Sequence, residues 1–188
     1  RDVRLRDFTR AELGDLEDAV DRPGWVDEVV AWTGGHPYMT ARLGAWLGQN
    51  PHASVDAAVQ ACFLDQGTHG DVTLGSAEAA ILADPQVLGL YRTALQRGAV
   101  GARPALVRRA EMTGLLRVGA GGDLEVRNPI VAEVFDAAWV DDAIGARPHQ
   151  RALARWVDGG RRDADLLRGR ALAELQDWAE RRPDLDPD

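Results

Sequence analysis

The chain has 188 residues, 45% hydrophobic and 28% charged, an ordinary composition for a folding protein with room for one sizeable core or two small ones. Its net charge of −8 argues against a general nucleic-acid binder, because attraction to phosphate supplies most non-specific affinity. All 22 basic residues are arginine, so mechanisms that require a lysine (a P-loop, a Schiff base, a lysine general base) are excluded from this stretch.

Thr9 reads as an N-cap with Glu12 at the third helical position and Phe8 facing Leu13 as a hydrophobic staple. Leu13, Leu16 and Val20 then share one face until Pro23 and Gly24 stop the helix. A second helix is predicted over residues 25–33, closed by Gly34 and Gly35, where glycine takes the left-handed cap conformation. Pro37 restarts the chain as a first-turn proline, and Met39, Leu43, Trp46 and Leu47 follow at helical spacing to Asn50 and Pro51. Ser54 caps a fourth helix with Val55, Ala58, Val59, Cys62 and Phe63 on its stripe.

Residues 67–74, rich in Gly, Asp and Thr, read as a linker between two subdomains. Helices are predicted over 76–83, around Leu88, Tyr91 and Leu95 to Gly98, and over 104–113, closed by Gly114. Two short apolar runs, 115–118 and 124–127, flank a glycine-rich turn and read as a hairpin. Asn128 and Pro129 supply an N-cap and a first-turn proline for a helix with Val131, Val134, Phe135, Ala138 and Trp139 on one stripe. Beyond residues 145–148 come two more helical segments, one centred on Leu153 and Trp156 and one over 164–180. Three helices, a two-stranded wing and a further helix form the order of a winged-helix domain. The expected fold is therefore mainly α: a helical lid subdomain (1–68), a winged-helix domain with a short β-hairpin wing (69–146) and a helical connector (147–188).

No apolar run approaches the ~18 residues that cross a bilayer. A chain that starts at Arg1 with no leader reads as a piece of a longer cytoplasmic protein. The lone Cys62 excludes an internal disulfide, fits a reducing compartment, and sits where a buried, inert thiol is expected. His36, His52, His69 and His149 lack metal-ligand spacing, and no catalytic triad or nucleophile elbow is visible. Asp141 and Asp142 read as a helix end rather than a catalytic pair, and the six tryptophans as core anchors.

The run from Leu5-Arg6-Asp7-Phe8-Thr9 through Trp32-Thr33-Gly34-Gly35-His36-Pro37-Tyr38 resembles the end of the AAA-like module of bacterial STAND-type NTPases, relatives of the NLR switches. The run from Leu124 through Pro129 to Phe135-Asp136-Ala137-Ala138-Trp139-Val140 is similar to the wing and last helix of that module. Trp156, Leu166-Leu167-Arg168-Gly169 and Trp178 resemble the connector that often precedes WD40-type sensor repeats. The resemblance implies a non-catalytic regulatory segment of a signalling ATPase, with no cofactor of its own and ATP or ADP bound in the parent protein. Its implied partners are an upstream P-loop core and downstream sensor repeats of the same polypeptide, with homo-oligomerisation on activation. Carried over, Pro37 lies near the adenine with Gly35 and His36 shaping the turn, and Arg127 and Asn128 match a phosphate-sensing polar pair. The histidine many relatives carry there is missing.

Each of these positions also has a plain structural reading. The 34–37 turn forms as a helix cap and restart with no ligand, Asn128 is an N-cap, and Arg127 a solvated charge. Two other roles stay open: a winged-helix DNA-binding regulator using Arg103, Arg108, Arg109, Arg117 and Arg127, and a passive scaffold between ATPase and sensor.

Overall fold

The computed structural model describes residues 6–14, 23–65, 67–68 and 70–180, with backbone alone at 146–151, 154–155, 158 and 165. The expected Leu16 and Val20 face and His69 lie outside the described residues, as does the side chain of His149. The described chain is mainly helical, with one two-stranded antiparallel sheet.

A 3-10 turn, Arg10–Leu13, opens it through the expected capping box: the Thr9 amide donates to Glu12 Oε2 at 2.9 Å while the Glu12 amide returns to Thr9 Oγ1. Helix α1 (Trp25–Thr33) ends where Gly34, at φ 60°, turns its amide back to the Val30 carbonyl at 2.8 Å. Helix α2 (Pro37–Gln49) buries Met39, Thr40, Leu43 and Leu47. Ser54 caps α3 (Val55–Val59), which widens into a π turn over Gln60–Leu64 that keeps Cys62 and Phe63 inside. Helices α1, α2 and α3 pack on one another, and each fully buried Leu, Val or Phe contributes roughly 1.5–3 kcal/mol.

Helix α4 (Val72–Ala83) starts earlier than its pattern predicts, which shortens the expected linker. The cause is Asp71, whose Oδ1 accepts the amides of Thr73 and Leu74 at 2.8 and 2.9 Å and so begins the helix four residues ahead of Ser76. Asp84 and Pro85 start α5 (Pro85–Arg97) in the same manner, and α6 (Pro104–Met112) follows. Strands β1 (Leu116–Val118) and β2 (Leu124–Val126) pair antiparallel with Leu116 opposite Val126, and Val100 bridges Leu124 on the other side. This is the expected wing, packed on α5 and α6.

Helix α7 (Pro129–Val134) is short, because Phe135 leaves helical geometry (φ −111°, ψ 54°) with its ring fully buried. The single stripe expected from Val131 to Trp139 is thus split between α7 and α8 (Ala137–Asp158). The break expected at 145–148 is absent: α8 runs through Pro148, absorbing the lost hydrogen bond that a mid-helix proline imposes. Asp141 and Asp142 therefore sit inside a helix and not at its end. The helix expected over 164–180 is α9 (Arg170–Glu180), preceded by a 3-10 turn at Asp163–Asp165, since Leu166 is extended and Gly169 has φ 55°.

The chain forms two compact units, 1–137 and 138–188. The first holds together the stretches expected as a lid and a winged helix, because α7 returns to pack on α1 and the π turn as well as on β2. In the second, an apolar cleft of about 300 Å³ is lined by Leu153, Trp156, Leu167 and Leu175, and α9 buries no residue completely.

Candidate functional site

Local structure builds the 34–37 turn first. Gly34 and Gly35 both have positive φ, and the Gly35 amide is 3.2 Å from Thr33 Oγ1. Thr33 is buried; its hydroxyl donates to the Val29 carbonyl at 2.8 Å and so receives the Thr40 hydroxyl at 2.9 Å, binding α1 to α2. The Thr33 carbonyl accepts the His36 amide at 3.1 Å. Residues 6–9 lie across this turn as a strap, the Phe8 amide donating to the Gly35 carbonyl at 2.8 Å. A Cβ on Gly35 would fall 2.1 Å from the Phe8 carbonyl oxygen, so glycine is required there by space as well as by φ 78°.

The wing supplies the other wall. Asn128 is buried and caps α7 through Oδ1, which accepts the Val131 amide at 2.9 Å. Its Nδ2 donates to the Thr33 carbonyl at 2.9 Å and reaches Met39 Sδ at 3.3 Å. One side chain thus starts a helix and ties the wing to the turn. A Cβ on Gly34 would touch the Arg127 carbonyl at 3.4 Å and Asn128 Cβ at 3.5 Å. Arg127 is a half-buried ion-pair partner and not the solvated charge its strand-end position suggests: Nη2 binds Asp7 Oδ1 at 2.6 Å, and its Nε is buried with no hydrogen-bond partner.

The fold therefore brings Gly35, His36, Arg127 and Asn128 to one joint of strap, turn and wing. Pro37 stands beside them as the first residue of α2. A groove of about 560 Å³ opens at the joint, lined by Val30 and Gly34, by Arg117 and Arg127, and by Asn128 and Glu133; neither His36 nor Pro37 lines it. His36 is half-buried, with Nδ1 unpartnered. Burial and the Arg127 guanidinium push its imidazole below the ordinary 6.5, against the pull of Asp7 and Asp71.

A second polar cluster lies beside the turn and carries no local sequence signal. The Tyr38 hydroxyl donates to Asp71 Oδ2 at 2.7 Å, Arg42 Nη1 donates to the Tyr38 hydroxyl at 2.9 Å, and Arg42 also binds Asp71. The Asp71 carboxylate is fully buried, and the Arg42 guanidinium lies 5.0 Å from the Phe63 ring centroid. Burial raises the Tyr38 hydroxyl above its ordinary value, helped by the Asp71 acceptor. The Cys62 thiol is also pushed up by burial, against the opposing effect of Arg42. Cys62 is buried, as its place on the stripe predicts.

The arginines of the DNA-binding alternative are partly engaged within the chain. Arg109 Nε binds Asp84 Oδ2 at 2.8 Å and its Nη1 reaches Gln86, Arg127 binds Asp7, and Arg117 lies 3.9 Å from Glu125.

No family model matches the chain, and no solved structure does. An uncharacterized WD repeat-containing protein of Synechocystis sp. is similar to it, 28% identical over 203 residues. The match covers 94% of this chain and 17% of that protein, so the chain spans about a sixth of its relative's length. The chain is thus similar to one stretch of a repeat-containing protein, which agrees with the WD40 context expected from the connector. Among the described residues no helix is long and apolar enough to cross a membrane.

Proposed function

We propose that this chain is the regulatory segment of a cytoplasmic STAND-type signalling ATPase: a lid and winged helix that would respond to the nucleotide held by a P-loop core elsewhere in the same polypeptide. The observation that carries this reading is the tie between Asn128 and the Thr33 carbonyl, which sets the wing against the 34–37 turn although 95 residues separate the two. In such a protein Pro37 and the turn would face the adenine side, and Arg127 and Asn128 the phosphates. The similarity to a WD repeat-containing protein supports downstream sensor repeats as the partner. The absence of lysine supports a non-catalytic role, since this chain cannot itself supply the P-loop lysine.

The mechanism is a bistable interface. Nucleotide-dependent contacts at the joint would favour either the wing docked on the turn or the wing released, and oligomerisation would follow release. The test is made in the longer protein with Pro37→Ala and Asn128→Ala. Nucleotide affinity and activation should both change, and wild-type values of both in the two variants would overturn the reading. By itself this chain should show no ATP hydrolysis and weak or no nucleotide binding by calorimetry. A DNA-binding role draws little support, because Arg109 and Arg127 already hold carboxylates of the same chain.

A further inference from the structure

The unit of residues 138–188 has the elements of a helical bundle and almost no core. Among its described side chains only Val140 and Ala152 are buried. Helix α9 folds back along α8: Leu172 and Leu175 line the cleft with Leu153 and Trp156, and a Cβ on Gly145 would lie 3.8 Å from the Trp178 indole. On α8, Leu153, Trp156 and Val157 recur at helical spacing, and Leu153 and Val157 remain 60% and 46% exposed. Leu166 and Leu172, ahead of and on α9, are 47% and 39% exposed. A unit this short is marginal unless something completes its core, and apolar side chains left open at helical spacing are the surface that a further pair of helices covers.

Charge along this hairpin says what covers it. The turn between the helices is fixed at the Trp156 end: the Arg161 amide donates to the Trp156 carbonyl at 2.7 Å, and the Arg161 guanidinium lies 5.6 Å from the Trp156 ring centroid. Residues 155–170, around that turn, hold five arginines against three aspartates. The opposite end, where Trp178 meets Gly145, is acidic. Residues 138–147 hold two aspartates and one arginine, and residues 171–180, which run toward that end, hold three acids and no base. The sequence stays acidic through residues 181–188, with three aspartates and two arginines. A partner of one sign matches one end of the hairpin and is repelled at the other. A second copy turned end for end matches both, whereas a copy laid parallel sets like charge on like. We propose that the α8–α9 hairpin pairs with the same hairpin of a second copy of this chain about a two-fold axis, end for end, into a four-helix bundle.

In that pairing Leu153 and Leu172 of each copy enter the cleft of the other, and the contact is isologous, so what one copy buries the other buries as well. Burial of the apolar side chains supplies the attraction, and the opposed ends set the direction. Arg161, Arg162, Glu174 and Asp177 are exposed, so the attraction between ends is screened by salt. The pairing uses residues 138–188 alone and needs no nucleotide. It is distinct from the oligomerisation that would follow release of the wing, and its failure would leave that reading untouched.

The experiment is sedimentation velocity on the full 188-residue chain over a range of concentrations. The wild type should approach twice the monomer mass as concentration rises. Leu153→Glu and Leu172→Glu, at side chains already open to water, should each keep the wild-type far-UV circular dichroism and raise the dimer dissociation constant at least about tenfold. Val72→Glu, at an 88% exposed residue of the other unit, should leave that constant unchanged. Raising sodium chloride from about 50 mM to about 500 mM should weaken the dimer severalfold. The proposal is overturned by a wild type that stays monomeric throughout, by a Leu153→Glu chain that pairs as the wild type does, or by loss of pairing in Val72→Glu. A dimer that tightens with salt also overturns it, since that is the mark of like ends set together.

Discussion

Two carboxylate–arginine contacts fasten distant parts of the first unit, and they differ in burial. Asp71 is fully buried and accepts from Tyr38, Arg42 and two amides, so its charge is satisfied on all sides. Asp7 is part-exposed and holds Arg127 through one contact at 2.6 Å. The same chemical pair thus holds a carboxylate that water does not reach in one place and one that water partly reaches in the other. Removing the arginine from the first strands a fully buried carboxylate, whereas removing it from the second leaves a carboxylate that water still reaches.

The comparison breaks first at Asp71. Asp71→Ala removes a helix cap and leaves Arg42 facing no carboxylate, and urea denaturation should show a loss of about 3 kcal/mol. Gly35→Ala, which strains φ 78° and drives a methyl into the Phe8 carbonyl, should lower stability by about 2–3 kcal/mol and expose the Phe8 amide to exchange. Asn128→Ala should lose about 2 kcal/mol, from the cap and from the tie to Thr33 together. Asn128→Asp retains an acceptor for the Val131 amide but no donor for the Thr33 carbonyl, so its loss against the wild type reports the tie and its difference from Asn128→Ala reports the cap.

Asp84 lies between the extremes. Burial alone would raise its carboxyl, but the Arg109 hydrogen bond and the Val87 amide outweigh it and hold it below the ordinary 3.8. Its contribution is therefore present above pH 3.8 and lost as pH falls through the lowered value. Asp84→Asn should cost about 1 kcal/mol near neutrality and remove that part of the acid dependence in urea melts repeated across pH. The smallest effect belongs to Asp7→Asn, below about 1 kcal/mol in global stability, with its consequence confined to the strap. A global loss as large as that of Asp71→Ala would erase the distinction between the two clasps.

Much of the site was legible because its signals are local. Trp25 to Thr33 with two glycines and a first-turn proline describes a helix end, a turn and a helix start within a dozen residues, and the chain folds that way. Asn128 before Pro129 is equally local. Asp71 was hidden because it sits in a Gly-, Asp- and Thr-rich stretch that resembles a linker until its carboxylate is seen accepting two amides. Nothing near Asp7 or Arg127 in sequence points to the other. Pro148 and Phe135 misled in opposite directions, one suggesting a break that α8 overrides and the other a continuity that burial of its ring interrupts.

Sequence alone therefore determined the helix end at Gly34, the helix starts at Pro37, Ser54 and Asn128, the wing, the burial of Cys62 and the exclusion of lysine chemistry, since caps, turns and stripes depend on residues within one or two turns of each other. Tertiary structure decided that the stretches expected as separate subdomains before residue 137 share one compact unit, that Asn128 serves the turn as well as its own helix, and which aspartate Arg42 and Arg127 hold. Those outcomes depend on which surfaces exclude water, and only the packed chain sets that.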